Sequence, residues 1–238
     1  PISEDLSEMR TTPLISLIDC IKQNNNRGNN NIGLFEIGPG FYGATPGEQS
    51  LIASGARSGI YKTNGLEKHW QGNSSVDVFD SKSDLMAVLD QINISIDSVR
   101  IDTNTPNWYH PGRSGNIISK ENKIIGSFGE IHPIIISKFE LPIISAFEIF
   151  MENIFTKSKK GQKLKSEFKP TNLPSVKRDF SFDLPQSVSA ETLLSAVRSC
   201  GEDMIDEIKL FDQFIENEEK KSLAFEITIR PKINTLTE

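Results

Sequence analysis

The sequence has few of the residues that build disulfide or metal sites. Its 238 residues include only two cysteines, Cys20 and Cys200, and three histidines. The cysteines are far apart and match no metal-ligand spacing, so we predict two reduced, buried thiols in a cytoplasmic protein. His110 and His132 each precede proline, which indicates turn chemistry rather than ligation. Neither a disulfide framework nor a zinc site is expected.

Long apolar runs are also missing. The runs at 133–136 and 141–144 are far shorter than the roughly 20 residues that cross a bilayer. No signal-peptide pattern opens the chain, so no membrane association is predicted. The first residue is proline, and we therefore expect an excerpt or a processed piece.

Positive charge is concentrated in one stretch of an otherwise acidic chain. The net charge is −6, yet Lys157 to Arg178 holds eight basic residues and one acid, Glu167. This stretch is either a solvated linker or an attractor of polyanions. Its Lys, Ser, Gly and Pro content predicts a basic linker at 156–172 between a domain at 1–155 and a module at 173–238.

The first domain alternates helical and extended patterns. Leu14, Leu17 and Ile21 recur at helical spacing and predict a helix to about Gln23. A second helix is predicted over 77–91, with its apolar side formed by Phe79, Met86 and Leu89. Extended patterns predict strands at 32–37, 51–55, 117–118, 124–128 and 146–150. Gly38-Pro39-Gly40 is interpreted as a hairpin turn that ends the first strand. The mixture favours an α+β fold with a largely antiparallel sheet.

The second module has the element order β-α-β-β-(α). Alternating patterns predict strands around Phe182, over 205–214 and around Phe225, and a Ser189-capped helix ending at Gly201 follows the first strand. Residues 235–238 look like the start of another helix. This order is a ferredoxin-like split βαβ without its last strand, so the chain is expected to stop inside a domain.

Ordered motifs along the whole chain carry a family resemblance. They are the opening segment 1–12, Leu34–Pro39, His110–Ser114, Phe128–Pro133, Pro174–Phe182, Leu210–Phe214 and Lys221–Phe225. Together they resemble the C-terminal part of the β subunit of bacterial phenylalanyl-tRNA synthetases. The resemblance implies a class II synthetase-like, catalytically silent domain followed by a ferredoxin-fold anticodon-binding domain that lacks its last helix and strand. It places the family's editing and N-terminal tRNA-binding domains upstream of Pro1.

The same resemblance implies partners and cofactors. The partners would be the α subunit, in an α2β2 heterotetramer, and phenylalanine tRNA. ATP and Mg²⁺ would serve the whole enzyme in the cytoplasm, with no cofactor in this chain.

Arginine is absent where catalysis would need it. Class II activation of an amino acid uses arginines to stabilise charge on the ATP phosphates. None lies between Ile32 and Ser54 or between Arg113 and Arg178, where the two motifs that carry them would fall. Glu36 holds the place of one motif's acid but lacks its basic neighbours. An active, free-standing class II ligase is therefore disfavoured.

Three other groups leave alternatives open. Asp77 and Asp80 are interpreted as solvated surface acids rather than an acid–base pair. His110 with Arg113 either positions a phosphate or forms a turn after Tyr109, and the turn is favoured. The segment 130–132 makes either a buried polar contact or a subunit-interface contact.

The family resemblance assigns the anticodon reader to three residues. Asp212 would accept hydrogen bonds from the guanine edge at the first anticodon position, Phe214 would stack on that base, and Ser222 would add a polar contact. The alternative is that Phe214 is core and Asp212 a turn residue. In a regular strand both share a face with Leu210, which should be buried, so a bulge or bend must release them.

Three cations have a less specific prediction. Lys177, Arg178 and Arg230 either contact phosphates or form a solvated surface. Two alternatives remain for the chain: a pure protein–protein scaffold whose small domain does not touch RNA, and an RNA-binding module without a role in anticodon reading.

Overall fold

The computed structural model describes residues 7–60, 62–63, 66–67, 75–94, 98–154, 173–200, 204–215, 217 and 219–231. The chain divides into two compact units, Pro1–Lys159 and Lys160–Glu238. The predicted basic linker at 156–172 lies outside the described residues. In the described part of the chain, no helix is both long and apolar enough to span a membrane.

The first unit is built around a six-stranded antiparallel sheet, as predicted. In chain order its elements are α1 (Leu14–Asn26), β1 (Ile32–Phe41), β2 (Gln49–Ser58), β3 (Lys62–Thr63), β4 (Leu66–Glu67), α2 (Val78–Gln91), β5 (Val99–Asp102), β6 (Tyr109–Ser119), β7 (Ile124–Ile131), α3 (Pro133–Lys138), β8 (Ile144–Phe150) and α4 (Met151–Ile154). The sheet order is β1-β2-β8-β7-β6-β5, and β3 pairs with β4.

The two long helices cover opposite faces of this sheet. Because side chains alternate along a strand, Ile144 and Ala146 of β8 face α1, while Phe147 and Ile149 face α2. The α1 side of the core is closed by its buried stripe of Leu14, Leu17 and Ile21, at the spacing that the sequence predicted. Cys20 is exposed, so the prediction of a buried thiol is wrong there, and Cys200 is exposed as well.

Helix α2 begins with a capping box. Asp77 accepts hydrogen bonds from the backbone amides of Phe79 and Asp80, and the Asp80 carboxylate accepts one from the amide of Asp77 at 2.8 Å. Asp80 is only 4% exposed, so the interpretation of both acids as surface groups is wrong. The predicted apolar side of α2 is wrong at Phe79, which is 68% exposed; the buried stripe runs through Leu85 and Leu89.

Strand β1 continues through Gly38-Pro39-Gly40, which makes the predicted hairpin turn wrong. These residues pair with 52, 51 and 50 of β2. The reason is the preceding chain segment, which crosses the outer edge of β1: the amide of Phe41 donates to the Arg10 carbonyl at 2.9 Å. Pro39 is two residues away, so its nitrogen points to the same outer side, where no ladder hydrogen bond is lost.

The second unit has the predicted β-α-β-β order. Its elements are β9 (Val176–Pro185), α5 (Ala190–Cys200), β10 (Ile205–Ile215) and β11 (Lys220–Ile229). They form an antiparallel sheet in the order β10-β11-β9. The Ser189 hydroxyl caps α5 by accepting from the amide of Thr192 at 3.1 Å, as predicted. The predicted helix end at Gly201 and the final helix at 235–238 lie outside the described residues.

Candidate nucleic-acid interface

One register row of the six-stranded sheet is polar on every strand. The row crosses β1, β2, β8, β7, β6 and β5, and its residues on these strands are, in the same order, Glu36, Ser54, Glu148, Ser127, Asn116 and Asp102. Its four central members are at most 2% exposed. Buried polar groups are usually hydrogen-bonded. Here the Ser127 hydroxyl donates to Asn116 at 2.7 Å and Asn116 donates to the carbonyl of Asn104 at 2.8 Å, whereas the Ser54 hydroxyl has no hydrogen-bond partner among the described residues.

Glu148, at the centre of this row, accepts hydrogen bonds from three side chains. Its Oε1 accepts from the hydroxyl of Thr12, in the opening motif. Its Oε2 accepts from the indole of Trp108 at 3.1 Å and from the phenol of Tyr109 at 3.0 Å. Burial raises the pKa of the Glu148 carboxyl, against the lowering effect of these three hydrogen bonds. Burial, followed by the Glu148 charge, raises the pKa of Tyr109 well above its usual value.

A cavity of about 580 Å³ opens beside the polar row. Its lining includes Tyr42, Ser50, Asn116, Ser127 and Glu152. Among the described residues that line it, none is basic. A nucleotide triphosphate needs cations at its phosphates, and the described lining of this cavity supplies none.

Three arginines of the first unit, Arg10, Arg57 and Arg113, form ion pairs within the unit. Arg57 makes a bidentate pair with Asp84 at 2.5 and 2.8 Å. Arg10 contacts Glu36 at 2.5 Å, which corrects the expectation that Glu36 has no basic neighbour. Arg10 belongs to the opening motif, 26 positions away in sequence, so the residues next to Glu36 do not indicate this ion pair.

The segment after Tyr109 is a bulged part of β6 rather than the favoured turn. Its register with β7 jumps between Tyr109 and Ser114. Within the bulge the amide of Gly112 donates to the His110 imidazole at 3.0 Å. Arg113 pairs with Glu130 at 3.0 Å; Glu130 is 8% exposed and the Arg113 side chain 59%, so the acid is buried and its ion pair reaches the surface.

In the second unit the two faces of the sheet differ in polarity. On β11, Leu223, Phe225 and Ile227 are buried on one face. Ser222 and Ala224 alternate with them on the opposite face, which we call the polar face, together with their register partners on β9 and β10.

A bulge in β10 moves Asp212 and Phe214 onto the polar face. Leu210 pairs with Phe225 on the apolar face, whereas Asp212 pairs with Ala224 and Phe214 with Ser222. The register shift lies between Leu210 and Asp212, where the sequence required a bulge or bend. Leu210 is nevertheless 37% exposed, more than expected for a core position.

The three residues predicted to read a base therefore lie together. Phe214 is 65% exposed and stands directly opposite Ser222, and Asp212 is exposed in the neighbouring row. The Ser222 hydroxyl exchanges a 2.8 Å hydrogen bond with the hydroxyl of Ser181 on β9. Phe214 and Asp212 are thus neither core nor turn residues, which removes the structural objection to base contact.

The three predicted cations do not form one patch. Lys177 pairs with Glu226 at 2.7 Å on the polar face, and this hydrogen bond raises the pKa of Lys177. Arg230 pairs with Asp206 at 2.7 Å. Arg178 is opposite Ile227, in an apolar-face row.

Family models of known proteins match both units of the chain. The family model described as "Phenylalanyl tRNA synthetase beta chain CLM domain" matches residues 1–151, and that described as "Ferredoxin-fold anticodon binding domain" matches residues 171–238. The fold is therefore an antiparallel α+β domain followed by a ferredoxin-fold anticodon-binding domain. The chain belongs to the phenylalanyl-tRNA synthetase β-chain family.

Named relatives match the chain along its whole length. The phenylalanine–tRNA ligase β subunits of Paramagnetospirillum magneticum and Bartonella henselae are 37% and 36% identical over 243 aligned positions, covering 100% of this chain. The chain spans 30% of the length of each relative. A solved pyrrolysyl-tRNA synthetase of Desulfitobacterium hafniense aligns with 61% of this chain and 48% of its own, at 12% identity and a TM-score of 0.45.

Proposed function

We propose that this chain is a non-catalytic part of a phenylalanine–tRNA ligase β subunit and binds the anticodon of phenylalanine tRNA. Aminoacylation itself would take place on the α subunit, with ATP and Mg²⁺ bound outside this chain. We further propose that the two subunits assemble as an α2β2 heterotetramer in the cytoplasm.

The β10 bulge is the observation that carries the anticodon proposal. It brings an exposed carboxylate, an exposed aromatic ring and a hydroxyl to one sheet face through Asp212, Phe214 and Ser222. A flat polar sheet face with aromatic rings suits single-stranded bases, which stack on the rings and present their edges to polar groups. Asp212 would accept from the N1 and N2 hydrogens of the first anticodon base, and Phe214 would stack on it.

The cations would contribute little to this recognition. Lys177 and Arg230 are each neutralised by a carboxylate within 2.7 Å. Their contacts with phosphate, and that of Arg178, would be nonspecific and would weaken as salt increases.

Alanine substitutions on the two faces of β10 test the proposal. In the full-length β subunit assembled with its α subunit, Asp212→Ala and Phe214→Ala should each weaken phenylalanine tRNA binding roughly tenfold, the value of one base contact. Gln213→Ala is the matched control, because Gln213 lies between them and pairs with Leu223 on the apolar face. Equal affinity in all three variants would favour a scaffold that does not touch RNA.

The silent first unit has its own test. The polar-row cavity has no basic lining residue among those described, and Arg10 and Arg57 are engaged in ion pairs. The purified chain should therefore show no phenylalanine-dependent exchange of pyrophosphate into ATP. Exchange above background would identify the chain as a ligase in its own right.

A scaffolding role in addition to RNA binding is supported by one surface. Phe35, Ile37 and Leu51 are 80%, 58% and 46% exposed on the same face of the β1–β2 pair. Exposed apolar clusters mark interaction sites, and contact with the α subunit is the role that we propose for this one. Phe35→Ser with Ile37→Ser should then lower the fraction of β subunit that co-purifies with α.

A further inference from the structure

We infer that Asp183 is a second base-reading residue, which accepts a hydrogen bond from an amino group of an anticodon base other than the one held by Asp212 and Phe214. The inference rests on the proposed anticodon function of the polar face. It adds a specificity determinant on β9, the strand opposite to the one that holds Asp212.

Register places Asp183 in the same row as two members of the reader. Asp183 pairs with Ser222, which in turn pairs with Phe214, so the three side chains form one row across the sheet. Asp183 is exposed, and its neighbours Phe182 and Leu184 point to the opposite face and are half-buried. Among the described residues, no hydrogen bond or ion pair engages the Asp183 carboxylate.

The floor between the two carboxylates is made of small side chains. The next row is Ser181, Ala224 and Asp212, so three small residues, including Ser222, separate Asp183 from Asp212. The hydroxyls of Ser181 and Ser222 share a 2.8 Å hydrogen bond. Adjacent strands are about 4.8 Å apart and alternate residues about 7 Å apart, so the two Cα atoms are roughly 12 Å from each other. That separation is too large for one base edge and suits two nucleotides.

The charge of the polar face favours base edges over phosphates. Register also places Asp179, Glu226 and Glu207 on this face, against Lys177, Lys209 and Lys220, so with Asp183 and Asp212 five acids face three lysines. A phosphate would be repelled by this excess of acids, whereas the amino groups of adenine, guanine and cytosine donate to carboxylates. The proposed ligand of Asp183 is therefore the exocyclic amine of a base, a group that uracil does not carry.

The experiment measures tRNA affinity in the full-length β subunit assembled with its α subunit. Asp183→Asn is compared with Asp179→Asn, which removes the same charge from the same face of β9. The RNAs are phenylalanine tRNA transcripts with each anticodon base in turn replaced by uridine. Asp183→Asn should weaken binding to the native anticodon about tenfold. Uridine at one anticodon position should abolish the difference from wild type, and Asp179→Asn should have no comparable effect.

The outcomes separate this inference from the function on which it rests. If Asp183→Asn behaves like Asp179→Asn while Asp212→Ala still weakens binding, Asp183 does not read a base and the anticodon function stands. Tighter binding by Asp183→Asn would also overturn the inference, since the carboxylate would then face a phosphate. If Asp212→Ala and Phe214→Ala have no effect either, the proposed function fails, and the role of Asp183 fails with it.

Discussion

The phenolic hydroxyl of Tyr109 donates a 3.0 Å hydrogen bond to Oε2 of Glu148, and both side chains are 1% exposed. The same oxygen accepts from Trp108, and the other carboxylate oxygen accepts from Thr12. Glu148 thereby ties the segment before α1 and the start of β6 to the central strand β8. Segments that are about 100 residues apart in sequence, around Thr12 and around Tyr109, therefore share one carboxylate.

Removing this carboxylate should loosen the first unit. Glu148→Ala leaves the donors of Thr12, Trp108 and Tyr109 unpaired and opens a cavity, so we expect a loss of more than about 3 kcal/mol. Glu148→Gln keeps the shape and one acceptor, and should lose about 1–2 kcal/mol. Amide hydrogen exchange of β8 in the full-length protein measures both. Equal losses for the two variants would show that shape, and not hydrogen bonding, is what matters at this position.

The pH dependence of the first unit should carry the signature of Glu148. Burial raises the pKa of this carboxyl above its ordinary value of 4.5. An acid with a raised folded-state pKa contributes most stability below its unfolded-state pKa, and that contribution is lost as pH rises through the folded-state pKa. Protection of β8 amides in wild type, after correction for intrinsic exchange, should therefore fall relative to Glu148→Gln above about pH 4.5. A difference between the two proteins that is constant with pH would refute the raised pKa.

Two glycines of β1 should respond differently to the same substitution. A Cβ at Gly40 would meet the carbonyl oxygen of Thr11 and the side chain of Ile52, whereas a Cβ at Gly33 has only Arg57 at 3.8 Å. Gly40→Ala should cost about 1–3 kcal/mol through overpacking, and Gly33→Ala should be neutral or slightly stabilising. Thermal unfolding of the full-length protein compares them. Two neutral substitutions would mean that the segment around Thr11 does not pack tightly on β1.

Local patterns in the sequence predicted most elements, since helical spacing and alternation survive in both units. The predictions that proved wrong concern residues whose role depends on contacts beyond the local sequence pattern. Gly38-Pro39-Gly40 has turn chemistry, but the chain around Arg10 lies along its outer edge and keeps it extended. Asp80 has surface chemistry, but it caps α2. The sequence does not indicate the role of Glu148, because one acid in an apolar strand gives no signal until its three donors are placed around it.

At the candidate anticodon-reading residues, in contrast, the sequence predicted a feature of the structure correctly. Alternation alone would put Asp212 and Phe214 with Leu210, and the family resemblance demanded that they separate. The need for a bulge followed from these two statements, and the β10 register contains one. Asp183 could not be grouped with them from sequence, since the pairing of β9 with β11 decides which residue stands opposite Ser222.

Two single-residue deletions in β10 should show whether tRNA binding depends on the sheet face that Asp212 and Phe214 occupy or only on their presence. Removing Phe211 straightens the bulge but leaves Asp212 opposite Ala224 and Phe214 opposite Ser222. Removing Gln213 forces one of the two onto the apolar face, because side chains alternate. Phenylalanine tRNA affinity of the assembled enzyme should therefore be largely kept without Phe211 and lost, by about tenfold or more, without Gln213. The reverse order would mean that Phe211 itself contacts RNA.

The most direct measurement is a double-mutant cycle between Asp212 and the first anticodon base. Phenylalanine tRNA with guanosine or inosine at that position, which differ only by the N2 amine, is titrated against wild type and Asp212→Ala in the assembled enzyme. Anticodon reading by the polar face predicts that inosine weakens wild type roughly tenfold and Asp212→Ala hardly at all. Equal losses in both proteins would contradict it, because Asp212 would then not sense the base.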